Sequence, residues 1–216
     1  MVGREKDEDD PFKSVPSCLR EIISREGLED AVLNLPDMAK RLEGIDPQKP
    51  IVYPASPLGF AESTRPFLAT YIQRLEEIGF PPKNILNPWT LTPEEEVGAA
   101  FKIEDLNLQR EELRKLNKRI GLRNHLALIV CDLVTAILDG PDVDSGTASE
   151  IGFAAAKGKP VFALRTDFRP SGDNMGSLVN LQVEHFIELN GGRIATSLEE
   201  HLVHLQEFLA AFRRSS

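Results

Sequence analysis

Only two cysteines, Cys18 and Cys131, occur among 216 residues. They lie far apart and stand in no metal or redox spacing, so the sequence indicates neither a disulfide framework nor a zinc site. Basic residues are also scarce: 25 Lys and Arg face 34 Asp and Glu, a net charge of −9. Nucleic-acid binders display basic patches that release counterions, so no nucleic-acid partner is expected. No apolar run approaches membrane-spanning length, and "MVGREKDEDDPF" carries acids where a secretory signal needs an apolar segment. A cytoplasmic protein without membrane association is the expectation. The GxGxxG fingerprint is missing, which disfavours a dinucleotide, and no cofactor is expected. There is no internal repeat or low-complexity segment.

What is present is an ordinary globular composition, 41% hydrophobic and 27% charged, in a length that fits one α/β domain with an extension. Residues 1–49 read as a charged tail and an accessory helical extension, whose short helices are broken by Gly27 and Pro36. Residues 50–216 read as the α/β domain. "IVYPA" is a strand, followed by a turn and a helix with Phe67, Leu68, Tyr71, Ile72 and Leu75 at helical spacing and Gly79 at its end. "KNILNPW" is a second strand candidate and "TLTPEEEVGAA" a loop of the kind that covers a site. Residues 104–131 are helical with an interruption at Gly121. "DLVTAILD" is the strongest strand, a helix spans 147–157, and "PVFALRT" and "HFIEL" are the last strands. "TSLEEHLVHLQEFLAAFRR" closes the chain as a helix with the capping pattern Ser197-x-x-Glu200. Alternating strands and helices predict a parallel sheet of about five strands with helices on both faces.

Ligands of open parallel sheets bind beyond the carboxyl ends of the strands. Three loops meet there, carrying Tyr53, Ser56 and Phe60, then the turn "LDGPDVDSGTASE", then Asp167, Arg169 and Asn180. The turn holds Asp139, Asp142 and Asp144 before a helix that carries Glu150. Such acids can cap a helix, hold a metal or attack a substrate. Calcium is disfavoured because, counted from Asp139, the glycine falls at position 8 and not 6, and no metal site is expected. Asp144 and Glu150, six residues apart, suit work at an anomeric carbon, where one carboxylate attacks and another handles protons.

"IVYPASPLGF", "CDLVTAILDGPDVDSGTASEIGFAAAKGKPVFALRTDFR" and "VNLQVEHF" together resemble the nucleoside 2-deoxyribosyltransferase family, with its strand-Tyr-x-x-x-Pro turn and D-x-G-T-x-x-E-x-G segment. The resemblance covers about residues 50–190 and implies a flavodoxin/Rossmann-like α/β fold. It implies that Glu150 attacks C1′ of the deoxyribose in a double displacement, that Tyr53 orients this carboxylate, and that Asp144 helps hold the sugar or base. Asn180 then reaches a neighbouring subunit's pocket in a homo-oligomer with shared active sites. Ser56, Phe60, Asp139 and Gly146 complete the expected substrate-binding set. Asn124 stands where well-described members have an Asp that protonates the leaving base, and an amide can bond a base edge but delivers no proton. Nucleoside or nucleotide and free nucleobase are the implied partners. The implied activity is transfer of 2-deoxyribose between bases. Hydrolysis of (deoxy)nucleosides or their 5′-monophosphates, with Ser145 and Thr147 holding the phosphate, and a non-catalytic nucleotide-binding module are the alternatives.

Overall fold

Gly27 and Pro36 divide the N-terminal segment as their chemistry requires. In the computed structural model, which describes residues 11–169, 171 and 175–212, α1 (Ser17–Arg25) ends before Gly27 at φ 68°, α2 spans Glu29–Leu33, and Pro36 opens α3 (Pro36–Glu43). The charged segment 1–10 lies outside the described residues. β1 (Val52–Ala55) leads to α4 (Arg65–Glu77), and Gly79 follows at φ 117°. The short α5 (Pro88–Leu91) comes next. The expected loop at 90–100 is instead largely α6 (Glu94–Phe101): Pro93 occupies its N-cap position, and three glutamates in its first turn suit the helix dipole. α7 (Leu106–Val130) runs without the expected break at Gly121. A glycine there costs about 1 kcal/mol relative to alanine, and burial of Leu116, Leu126 and Ile129 on the same helix outweighs it. β2 (Leu133–Ile137), α8 (Ser145–Ala156), β3 (Val161–Leu164), α9 (Leu181–Glu188), β4 (Arg193–Ala195) and α10 (Leu198–Ala211) complete the elements of the described residues.

The residues fall into two compact units. One unites the segment through Pro47 with Thr90–Val130. Its helices α3, α6 and α7 are joined by Arg123, whose 3% exposed side chain donates to Asp37 at 2.8 and 3.1 Å and to Glu96 at 2.7 Å. Two carboxylates around one guanidinium give the charge pairing that a buried cation needs.

The other unit, Gln48–Trp89 with the chain from Cys131 onward, is the α/β body. Among the described residues its four strands are all parallel and ordered β1-β2-β3-β4. Two expected strands are corrected. "KNILNPW" reaches the sheet only through one parallel bridge, Ile85 to Val52, with Leu86 N–H donating to the Val52 carbonyl at 2.8 Å. Pro82 and Pro88 flank it too closely for a ladder to grow. "HFIEL" is helical within α9, because Asn180 caps that helix through the Gln182 N–H at 3.0 Å and Gly191 at φ 80° follows it. The last strand is Arg193–Ala195, where Gly192 allows a close pass: a Cβ there would lie 1.9 Å from the Val161 carbonyl oxygen. Counting the Ile85 bridge as the vestige of an edge strand, the order follows the flavodoxin-like 2-1-3-4-5 pattern, whose switch point lies between β1 and β2.

Register decides what each sheet face carries. Val52, Leu133, Ile137 and Phe162 form one face with Leu68, Tyr71 and Leu75 of α4 and Leu205 of α10. On the other face Ala55, Ala136 and Ala163 stand side by side across three strands. That strip of small side chains suits close approach of the Ala-rich α8. Among the described residues, no helix is long and apolar enough to cross a membrane.

Candidate active site

Tyr53 lies on the α8 face of β1, fully buried, and its hydroxyl donates to Glu150 Oε1 at 2.5 Å. The two residues are 97 apart in sequence and meet at the switch point of the sheet. Glu150 falls in the second turn of α8, not the first, since the helix starts at Ser145 and not 147. The helix dipole therefore does little for its charge. Burial dominates, pushing the carboxyl up to about 7; the Tyr53 hydrogen bond opposes this shift and the negative Asp144 adds to it. Burial, reinforced by Glu150, likewise holds the Tyr53 phenol well above its ordinary range, so it stays a donor. Tyr53 thus engages one of the two Glu150 oxygens, Oε1.

The acidic turn is engaged with backbone donors. Asp144 is the N-cap of α8: its Oδ2 accepts from Thr147 N–H at 3.0 Å and lies 3.4 Å from the Thr147 hydroxyl. Asp142 accepts from Val143 N–H at 2.8 Å. Asp139 accepts from Thr166 N–H and hydroxyl, both at 2.6 Å, and from Asp167 N–H at 2.8 Å, tying the loop after β3 to the turn after β2. Asp167 and Arg169 pair with each other at 2.8 Å, which holds the Asp167 carboxyl well below its usual range. Ser145 and Gly146 are exposed at the start of α8.

Ser56 is buried, and its Oγ accepts from Leu58 N–H at 3.0 Å. Phe60, four residues on, is 74% exposed. Asn180 uses Oδ1 to cap α9. Asn124 belongs to the other unit, on α7, and its Oδ1 is buried without a hydrogen-bond donor among the described residues.

Sequence reasoning missed Arg165. This side chain, 4% exposed at the end of β3, donates to the carbonyls of Leu138 at 2.6 Å, Arg169 at 3.0 Å and Gly140 at 3.3 Å. It braces the same two loops as Asp139. The sequence signal is a cation directly after the apolar run "VFAL", a residue type that is mostly exposed in folded proteins.

The protein is thus a parallel α/β body with a tyrosine-tethered, largely buried carboxylate at its switch point, the edge at which open parallel sheets bind ligands. The nucleoside 2-deoxyribosyltransferase family profile matches residues 52–184, and the chain belongs to that family of enzymes. A conserved protein from Enterococcus faecalis V583, of known structure, is 28% identical over 74% of this chain and 99% of its own, with a TM-score of 0.54. The structure of the CMP N-glycosidase BcmB from Clostridium botulinum is 18% identical, covers 72% of this chain and 98% of its own, and has a TM-score of 0.40. None of the curated proteins compared with the chain matches it.

Proposed function

We propose that this protein transfers 2-deoxyribose between nucleobases by double displacement at Glu150. The observation that carries the reading is the Tyr53–Glu150 pair at the sheet's switch point, within a chain of this family. Oε2 of ionised Glu150 attacks C1′ of the nucleoside. The C1′–N bond breaks, its electron pair leaves with the base, and the base takes up a proton. The acceptor base then attacks C1′ through nitrogen and loses a proton, while the ester C1′–O bond breaks and restores the carboxylate. Tyr53 is a positioning residue that holds Oε1 and so aims Oε2. The negative Asp144 favours the cationic sugar of the transition state. The exposed ring of Phe60 contacts the base, Gly146 leaves room at the start of α8, and Asp139 and Ser56 shape the loops. Asn180 completes a neighbour's pocket in a homo-oligomer, whose assembly light scattering at assay concentration checks.

Deoxyinosine incubated with adenine tests the reading. New deoxyadenosine is expected, together with a deoxyribosyl adduct on Glu150 by mass spectrometry, and folded Glu150→Ala loses both. Hypoxanthine release without an acceptor would identify hydrolysis by the same glycosyl-enzyme. An adduct on another residue, or substantial activity in folded Glu150→Ala, rejects Glu150 as the nucleophile.

A further inference from the structure

Trp89 is the chain's sole tryptophan, and it sits against the loop that follows β1. Its indole N–H donates to the Ser56 carbonyl at 2.9 Å, and its backbone N–H donates to Asn87 Oδ1 at 3.1 Å. A Cβ on Gly59 would lie 2.1, 2.3 and 2.4 Å from three carbons of the indole. Gly59 has no left-handed backbone, so the position needs the missing side chain and not the backbone freedom of glycine. The loop is held from its other side as well: Arg65 Nε donates to the Gly59 carbonyl at 2.9 Å, and the Thr64 hydroxyl to the Leu58 carbonyl at 2.6 Å. Against this clamp stands Phe60, edge to face with Trp89 at a centroid distance of 4.6 Å and an interplanar angle of 89°. Core packing would bury such a pair. Here Phe60 stays 74% exposed, so its ring is oriented yet uncovered, at the carboxyl edge where a ligand binds.

We propose that Trp89 is a positioning residue for the nucleobase: it occupies the space a side chain at 59 would fill, fixes the Ser56–Phe60 turn, and presents the open face of Phe60 for stacking. The inference rests on the nucleoside reading above. Aromatic stacking tolerates any base, because every base has a π-face, so this shelf binds purines and pyrimidines alike and leaves discrimination to other groups.

The experiment titrates the wild-type protein with deoxyinosine while following Trp89 emission, then compares kcat, KM and pH profile in Trp89→Leu, Trp89→Phe, Gly59→Ala and Phe60→Leu. Emission should change along the saturation curve, and Phe60→Leu should abolish the change. Trp89→Leu and Gly59→Ala should raise KM about tenfold or more, the loss expected for one stacked base, with the Glu150-governed pH profile unmoved. Trp89→Phe should fall between. A wild type that turns over deoxyinosine without an emission change overturns the proposal, as does folded Trp89→Leu with wild-type KM. Should Trp89→Leu not fold, the wild-type titration and Phe60→Leu decide alone. A wild type that neither binds nor turns over any nucleoside rejects the functional reading and this inference together, and does so before any variant is made.

Discussion

Two side chains set the charge of Glu150 from opposite directions, and each can be removed without removing the carboxyl. Tyr53 favours the ionised form through its hydrogen bond, and Asp144 disfavours it through its own charge. In the proposed double displacement the attacking species is the carboxylate, so kcat/KM should rise with pH through an apparent pKa of about 7. Tyr53→Phe should move that pKa upward and lower kcat about ten- to a hundredfold, the value of a hydrogen bond to a charged group. Asp144→Asn should move it downward while keeping the cap of α8, since Asn caps as well as Asp. A pH–rate series on the three proteins measures both shifts. Movement in the same direction in both variants would contradict the assigned electrostatics. Tyr53, Asp144 and Glu150 were all legible as residue types in a motif. The pairing of Tyr53 with Glu150 followed from the family resemblance, and the hydrogen bond at 2.5 Å agrees with it; that burial and not the helix dipole governs the carboxyl was not legible.

The elements are tied to one another by few but specific polar contacts. On the face opposite Glu150, the Tyr71 hydroxyl of α4 bonds the Thr135 hydroxyl of β2, and both lie 2.8 Å from His201 Nε2 of α10. All three residues are fully buried, so loss of one partner leaves the others unsatisfied in a low dielectric. Thr135→Val keeps the shape and removes the hydroxyl. It should destabilise the fold by about 1–3 kcal/mol in urea unfolding and leave the pH–rate profile unchanged, because Thr135 faces away from α8. A shifted profile would mean that the two faces are coupled. Element bounds were readable wherever local chemistry marks them: Gly27 and Pro36 between the first helices, and Ser197 with Glu200 at α10, where Ser197 Oγ accepts from Glu200 N–H at 3.2 Å and Glu200 accepts from Thr196 N–H at 2.9 Å. They were misread at "HFIEL", an apolar run too short for its period to separate strand from helix.

For the molecule as a unit, burial of titratable groups links stability to pH. Glu150 rises from 4.5 to about 7 on folding. Between those values the native state keeps a proton that the unfolded chain releases, so this group's contribution to stability falls as pH rises. His201 acts in the opposite sense. Burial lowers it from 6.5 to about 4, so its contribution is lost as pH falls through that window. Glu150→Gln mimics the protonated carboxyl and still accepts from Tyr53. It should match the wild type near pH 4.5 and exceed its stability at pH 8, by up to about 3 kcal/mol, in urea unfolding at the two pH values. A difference independent of pH would refute the burial of Glu150. The ionised Glu150 carboxylate is thus a cost to the fold at neutral pH.

Composition, the residues of the acidic turn and the order of strands and helices were legible in the chain, because propensity, capping and apolar periodicity act between residues a few positions apart. The parallel α/β class followed from that order alone. The number of strands did not, since the segment at Ile85 becomes a strand or a single bridge according to how much of β1 it can pair with. Nor did the clamp of Trp89 on Gly59, 30 residues apart, or the bracing of two loops by Arg165 and Asp139. Hydrogen bonds across such separations and the desolvation that retunes Glu150 depend on which surfaces the packed chain removes from water. No local pattern encodes that exclusion.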